Sequence, residues 1–344
     1  AGCDVAIVEG NRGLFDGYGG ASTAALARTL DAPVLLVIDV TKTTRTAAAF
    51  VAGCQVLDPD LRIEGVIANR TGGPRHEGEV RRAIEEATGI PVLGCLPKLK
   101  GRNLLPDRHL GLVPPEEHDR MRSVVRRLGE IITEHVDVET LLDGALSDRT
   151  RAAPAYSAAP PESPSPKSPD SRRGADVRVG VFRDSAFTFY YPENLEALEA
   201  CGAEVVPVSA LEDPCLPELD LLYIGGGFPE THAEVLAANR PMMDSVADAA
   251  KRDLPIYAEC GGLIYLSRSV SHDGRRHALA GVLDVDIEVT ERPRGHGYAE
   301  MIVDGANPFF APGTRLRGHE FHYSRLTGAP DGVRTVMDVR RGTG

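Results

Sequence analysis

The chain has 344 residues, enough for two domains of ordinary size, and 42% apolar with 26% charged residues is the balance of a globular protein. A formal net charge of −12 argues against a nucleic-acid surface, which needs clustered lysine and arginine, and no apolar run approaches the about 20 residues of a membrane span. Six cysteines at positions 3, 54, 95, 201, 215 and 260 show neither close pairing nor metal-ligand spacing, so reduced thiols in the cytoplasm are expected.

Asp4–Glu9 reads as a buried strand ending in a carboxylate and opening into the glycine-rich stretch Gly10–Gly17. Nucleotide-binding α/β folds place a Mg²⁺ ligand at such a point, and an acidic strand cap is the competing reading of Glu9. The expected order continues as a helix over Ser22–Leu30, a strand over Ala32–Asp39, a helix over Thr46–Leu57, a strand over Ile63–Asn69, a helix over Glu77–Thr88 and a strand over Ile90–Leu96. This alternation predicts a parallel sheet covered on both faces, with ligands at the carboxyl ends of its strands. Glu9, Asp16, Asp39, Thr41, Lys42 and Asn69 all fall at that edge, although Asn69 also reads as a turn residue. Glu116–Glu134 is a last long helix, in which the arginines over 122–127 are interleaved with apolar residues and read as a solvated face. Six prolines among the serines and alanines of 152–173 cannot build a core. The expected division is therefore a first domain over 1–150, a linker over 151–174 and a second domain over 175–344.

In the second domain, strands are expected at Val177–Phe182 and Glu204–Pro207, and helices at Pro192–Cys201 and Thr231–Arg252. An apolar strand from Leu221 runs straight into Gly225, Gly226 and Gly227. Leu254–Ala258 is a further strand; Gly261 and Gly262 permit a tight turn, and Leu263, Ile264 and Leu266 begin the buried face of a helix. Cys260 thus stands on a strand-to-helix elbow, where the helix N-terminus is expected to lower its pKa and make the thiol nucleophilic. A small buried core cysteine is the alternative. Gly318–Ser324 supplies two candidate bases, His319 and His322, and the N–H groups of Gly226 or Gly227 with that of Gly261 can receive an oxyanion. From His277 onward the chain reads as strand-rich.

The order strand-GGG, strand-ECGGL, GHEFHYS, together with FRDSAFTFYYPEN at 182–194, resembles the class I glutamine amidotransferase domain of cobyrinic acid a,c-diamide synthases. VEGNRGLFDG, STAALARTLDAPVLLVIDVTKTTRT, GVIANR and PDRHLGLVP resemble the ATP-dependent synthetase domain of the same family, a P-loop-type α/β domain similar to dethiobiotin synthetase. The resemblance implies Cys260 as nucleophile and His322 as its base, with His319 the lesser candidate. It implies Glu9 as a Mg²⁺ ligand, Asn69 and the edge bearing Asp39 near the nucleotide, and Asp16 and His109 near the corrinoid. Ser324 stands where the wider amidotransferase class carries a glutamate two residues after the histidine, which leaves the partner of the imidazole open. No Gly-x-x-x-x-Gly-Lys-Ser/Thr occurs, so a partial sequence is expected, with the phosphate cradle upstream of Ala1 and negligible ATP binding by these 344 residues. The implied activity is glutamine- and ATP-dependent amidation of the a and c carboxylates of cobyrinic or hydrogenobyrinic acid, with a homodimer as the candidate assembly. Cobyric acid synthase and nickel-sirohydrochlorin a,c-diamide synthase are the enzyme alternatives, and a degenerate binding module is the alternative of another class.

Overall fold

Strands and helices alternate along the computed structural model, which describes residues 5–10, 12–18, 20–99, 107–108, 111–112, 121–147, 177–328 and 332–343. They fall into two compact units, Ala1–Leu105 with Arg120–Pro164 and Pro106–Asp119 with Ser165–Gly344. The expected linker over 151–174 lies outside the described residues.

In the first unit, β1 (Gly17–Tyr18) and β2 (Ala21–Ser22) form a short antiparallel ladder, and Ser22 caps α1 (Thr23–Thr29) by accepting the Ala25 N–H at 3.1 Å. β3 (Val34–Asp39), α2 (Arg45–Leu57), β4 (Ile63–Thr71), α3 (Pro74–Thr88) and β5 (Val92–Pro97) follow, the strands parallel in the order β3-β4-β5. α2 buries Ala47, Ala48, Val51 and Cys54, and α3 buries Val80 and Ile84, against Leu36, Ile38, Val66 and Ala68 of the sheet. Each fully buried Val or Ile contributes about 1.5–3 kcal/mol. α3 begins at Pro74, ahead of the expected Glu77, because proline suits the first helical position, where no N–H is needed; Gly89 at φ 71° ends it.

Two expectations fail in this unit. Asp4–Glu9 is not a strand: Val5–Gly10 is irregular, and Ile7 is 95% exposed, since an apolar run becomes a strand only where a neighbouring strand takes up its N–H and C=O groups, and none of the described strands does so. Nor is the sheet covered on both faces at β3, where Leu36 and Ile38 are buried but Leu35 and Val37 are exposed. A continuous apolar strand demands a layer on each side, and among the described residues that strand meets one on a single face. β6 (Asp107–Arg108) and β7 (Gly111–Leu112) pair antiparallel. α4 (Met121–His135) buries Val124 and Ile131 and leaves Arg122, Arg126 and Arg127 exposed, and α5 (Val138–Ser147) follows.

The second unit, which also takes in β6 and β7, continues with β8 (Val177–Phe182), α6 (Pro192–Ala200), β9 (Ala203–Val208) and β10 (Leu221–Ile224). The single helix expected over Thr231–Arg252 is two, α7 (Ala233–Ala238) and α8 (Arg240–Lys251). Asn239 breaks it: its side chain accepts from Met242 N while its Nδ2 donates to the carbonyls of Ala210 and Asp213, and Pro241 starts the new first turn. β11 (Ile256–Ala258) and α9 (Gly261–Leu266) complete a parallel sheet in the order β11-β10-β8-β9. Its main core gathers Phe182, Phe187, Leu222, Ile224, Met242, Val246 and Tyr265, with the three aromatic rings at centroid distances of 5.3–5.7 Å.

From His277 onward the described residues are strand-rich, as expected. β12 (Ser269–His272), β13 (Arg275–Ala278), β14 (Asp286–Val289), β15 (Gly295–Val303), β16 (Arg315–His322), β17 (Ser324–Thr327) and β18 (Met337–Arg341) form two sheets, β13-β12-β14-β17 and β16-β15-β18. The last residue of β16, His322, is the candidate base.

Candidate active site

β11 stops at Ala258, and Cys260 follows at φ 50° and ψ −103°, a conformation that non-glycine residues rarely adopt. The elbow is held from both sides. Glu259 N–H donates to Ile224 O at 2.9 Å, while Cys260 O accepts from Leu263 and Ile264 at 3.1 and 3.2 Å. Gly262 is required for close packing: a Cβ there would lie 2.5 Å from Ile224 O and 3.1 Å from Ala258 Cβ. The strained strand-to-helix turn that presents a nucleophile is therefore formed as expected.

The glycine loop after β10 lies against this elbow. A Cβ built on Gly226 falls 3.6 Å from Cys260 Cβ, and one built on Gly261 falls 3.1 Å from Gly227 N, so the expected oxyanion glycines are neighbours of the thiol carbon. Gly225 N–H donates to Tyr190 Oη at 2.8 Å, and Gly226 O accepts from Thr188 and Phe189. At Gly227 any side chain would collide with the Ala186 carbonyl. The segment 184–190 thus buttresses the loop, and Asp184 pins that segment by accepting from Ala186 N, Phe187 N, Ser209 Oγ and Leu211 N at 2.9–3.2 Å. Sequence spacing offered no sign of this buttress, although the stretch over 182–194 carried part of the family resemblance.

Alternation along β16 separates the two histidines. His322 shares a face with Glu320, whereas His319 lies on the other with Phe321 and is exposed. His322, Tyr323 and Ser324 line one narrow cleft with Cys260, Gly227, Glu230, Ile264 and Val289, and His319 does not. His322 Nδ1 lies 2.9 Å from Ser324 O. A carbonyl only accepts, so Nδ1 carries the proton and Nε2 is left as the basic nitrogen. Ser324, standing where the wider amidotransferase class carries a glutamate, orients the imidazole through its main chain.

The expected lowering of the thiol pKa does not occur. Burial of the thiol pushes Cys260 above its ordinary value, the charge of Glu230 adds to this, and Glu259 adds further; the Gly261 N–H bond to the sulfur opposes them. A six-residue helix with two carboxylates beside it cannot offset desolvation. Glu230, 5% exposed, is the cleft residue that sequence reasoning missed.

In the first unit, Asp39 and Asn69 are partners at the carboxyl ends of β3 and β4. Asp39 Oδ1 accepts from Thr41 N at 2.8 Å and Thr41 Oγ1 at 2.5 Å, and its Oδ2 lies 2.9 Å from Arg70 Nη1. The Thr41 bonds first, and then Arg70, hold this carboxyl below its usual range. Lys42 and Arg70 both adopt left-handed φ angles, 56° and 63°, beside it. Asp16 is exposed in the turn closed by its N–H to Gly13 O, and His109 lies outside the described residues. Glu9 is exposed on the unpaired segment, and among the described residues no group of three His, Cys, Asp or Glu side chains could hold a metal ion. One carboxylate fits Mg²⁺ only where nucleotide phosphates supply the other oxygens.

Comparison with known proteins agrees with both halves. A CobB/CobQ-like glutamine amidotransferase domain matches residues 178–344, and an AAA domain matches residues 1–103. The chain is similar to a cobyrinate a,c-diamide synthase of Magnetococcus marinus, 42% identical over 349 residues, which span 100% of this chain and 73% of that one. It is equally similar to that of Syntrophotalea carbinolica, 42% identical with 96% and 71% covered, and to that of Listeria monocytogenes, 42% identical with 93% and 69% covered.

Proposed function

This chain belongs to the cobyrinate a,c-diamide synthase family, and from that premise we infer that it is a glutamine-dependent amidoligase in which Cys260 and His322 release the ammonia used to amidate cobyrinic acid in cobalamin biosynthesis. The observation that carries the assignment is the strained elbow of Cys260 opening into the cleft that His322 lines.

The thiol proton passes to His322 Nε2, and the sulfur attacks the side-chain amide carbon of glutamine. The N–H groups of Gly261 and of Gly226 or Gly227 receive the oxyanion. The C–N bond breaks as the imidazolium returns its proton to the leaving nitrogen, and ammonia departs. Water then hydrolyses the thioester to glutamate. In the AAA-type unit the nucleotide is ATP. A carboxylate is a poor electrophile at neutral pH, so its conversion to an acyl phosphate precedes displacement by ammonia. The edge bearing Asp39 and Asn69 is the nucleotide side of that unit, and Asp16 and His109 contact the corrinoid. Glu9 would hold Mg²⁺ together with the nucleotide's phosphates, and the ion supplies neutralisation of phosphate charge.

Glutamine hydrolysis tests the pair. Cys260→Ser should lose activity by roughly 10³-fold or more and His322→Ala by roughly 10²–10⁴-fold, while His319→Ala changes it little. A larger loss for His319→Ala than for His322→Ala would show that the wrong base is assigned.

A further inference from the structure

The imidazole of His322 lacks the carboxylate two residues downstream, yet a carboxylate reaches it from two residues upstream. Residues two apart on a strand share a face, and Glu320 Oε2 lies 3.8 Å from His322 Nε2. The Glu320 side chain is only 15% exposed, and its other oxygen, Oε1, accepts the Thr343 N–H at 2.5 Å. That second bond fixes the carboxylate in the direction of the ring.

Across the ladder, Gly295 is the register partner of His322. Its backbone is not left-handed, so glycine is not needed there for conformation. It is needed for space: a Cβ on Gly295 would strike His322 Nε2, lie 2.7 Å from His322 Cδ2 and lie 2.9 Å from Glu320 Oε2. The ring and the carboxylate meet in the volume that this missing side chain leaves.

We propose that Glu320 is the positioning residue that holds the charge of protonated His322, and that Gly295 is the clearance that lets the two meet. The proton moves from Cys260 Sγ to His322 Nε2 and later to the leaving ammonia. Glu320 remains ionised throughout and takes no proton, and Nδ1 keeps donating to Ser324 O. The Glu320 carboxylate faces the nitrogen that receives the proton and so stands opposite the charge that the relay creates. The other titratable groups on this cleft are Cys260, Glu230 and Tyr323. This inference rests on the assignment of Cys260 and His322 as the reacting pair.

The rate of Cys260 alkylation by iodoacetamide, followed by mass spectrometry across pH in the full chain, tests both levels. Glu320→Gln should slow alkylation roughly ten-fold near neutral pH and converge on the unsubstituted protein in strongly alkaline solution, where the thiolate forms without help. Glu320→Asp should recover part of the loss, and Gly295→Ala should reproduce the pattern of Glu320→Gln. An unchanged rate in Glu320→Gln alongside a slowed His322→Ala would remove Glu320 from the relay and keep the pair. Unchanged rates in both would remove the pair as well. Slowing of Glu320→Gln by the same factor at every pH would mark Glu320 as a packing residue and overturn the proposal.

Discussion

Cys260 shows how little a residue's type says about its reactivity. Burial and Glu230 raise the pKa of its thiol, so under the proposed assignment it needs His322 as a base at neutral pH. The residue behind it tells a related story in the core. Tyr265, 0% exposed, packs edge-on against Phe182 and Phe187, and its buried hydroxyl has no hydrogen-bond partner among the described residues. An unsatisfied buried hydroxyl costs about 1–3 kcal/mol, so Tyr265→Phe should stabilise the protein by about 1 kcal/mol at unchanged glutaminase activity. Urea unfolding measures it, and a loss of stability would mean that the hydroxyl has a partner.

At the scale of elements, the sheet β13-β12-β14-β17 is closed by one carboxylate. Asp286 of β14 accepts from Ser269 Oγ of β12 at 2.6 Å, from Arg268 Nη2 at 2.8 Å and from Arg276 Nη2 of β13 at 2.9 Å. The Ser269 bond first, and then the two arginines, hold its carboxyl below the ordinary 3.8. A depressed carboxyl contributes stability that is fully present above its unfolded value and is lost as pH falls through its folded value. Asp286→Asn should therefore melt below the unsubstituted protein at neutral pH, and the gap should close as pH drops below about 3.8. Thermal melts across pH decide this; a gap that persists in acid would assign the effect to shape rather than charge.

At the scale of the whole molecule, one apolar cluster of the described residues draws its members from 14–95 and the other two draw theirs from 179–289. Cys260, His322 and the glycines proposed for the glutaminase step all lie in the second compact unit, so residues 175–344 expressed alone should fold and be labelled at Cys260 by a glutamine-mimicking electrophile; labelling elsewhere, or none in a folded fragment, would refute this. Much of that organisation was legible in the chain. Val34–Asp39 and Leu221–Ile224 are strands, Pro192–Ala200 is a helix and Cys260 is an elbow because apolar period, proline and glycine act over a few residues. The apolar run before Glu9 was misleading for the complementary reason: a strand is a property of a pair, and pairing is not local. Residue types likewise named a thiol, two imidazoles and three glycines without choosing among them. The family resemblance ranked His322 above His319, and only the tertiary structure gives the physical reason, strand alternation that turns the two to opposite faces and sets His322 alone of them on the cleft. Tertiary structure also gave the imidazole, whose partner the sequence left open, the Ser324 carbonyl, and raised a thiol expected to be lowered, because hydrogen-bond geometry and desolvation depend on distances between segments far apart in the chain.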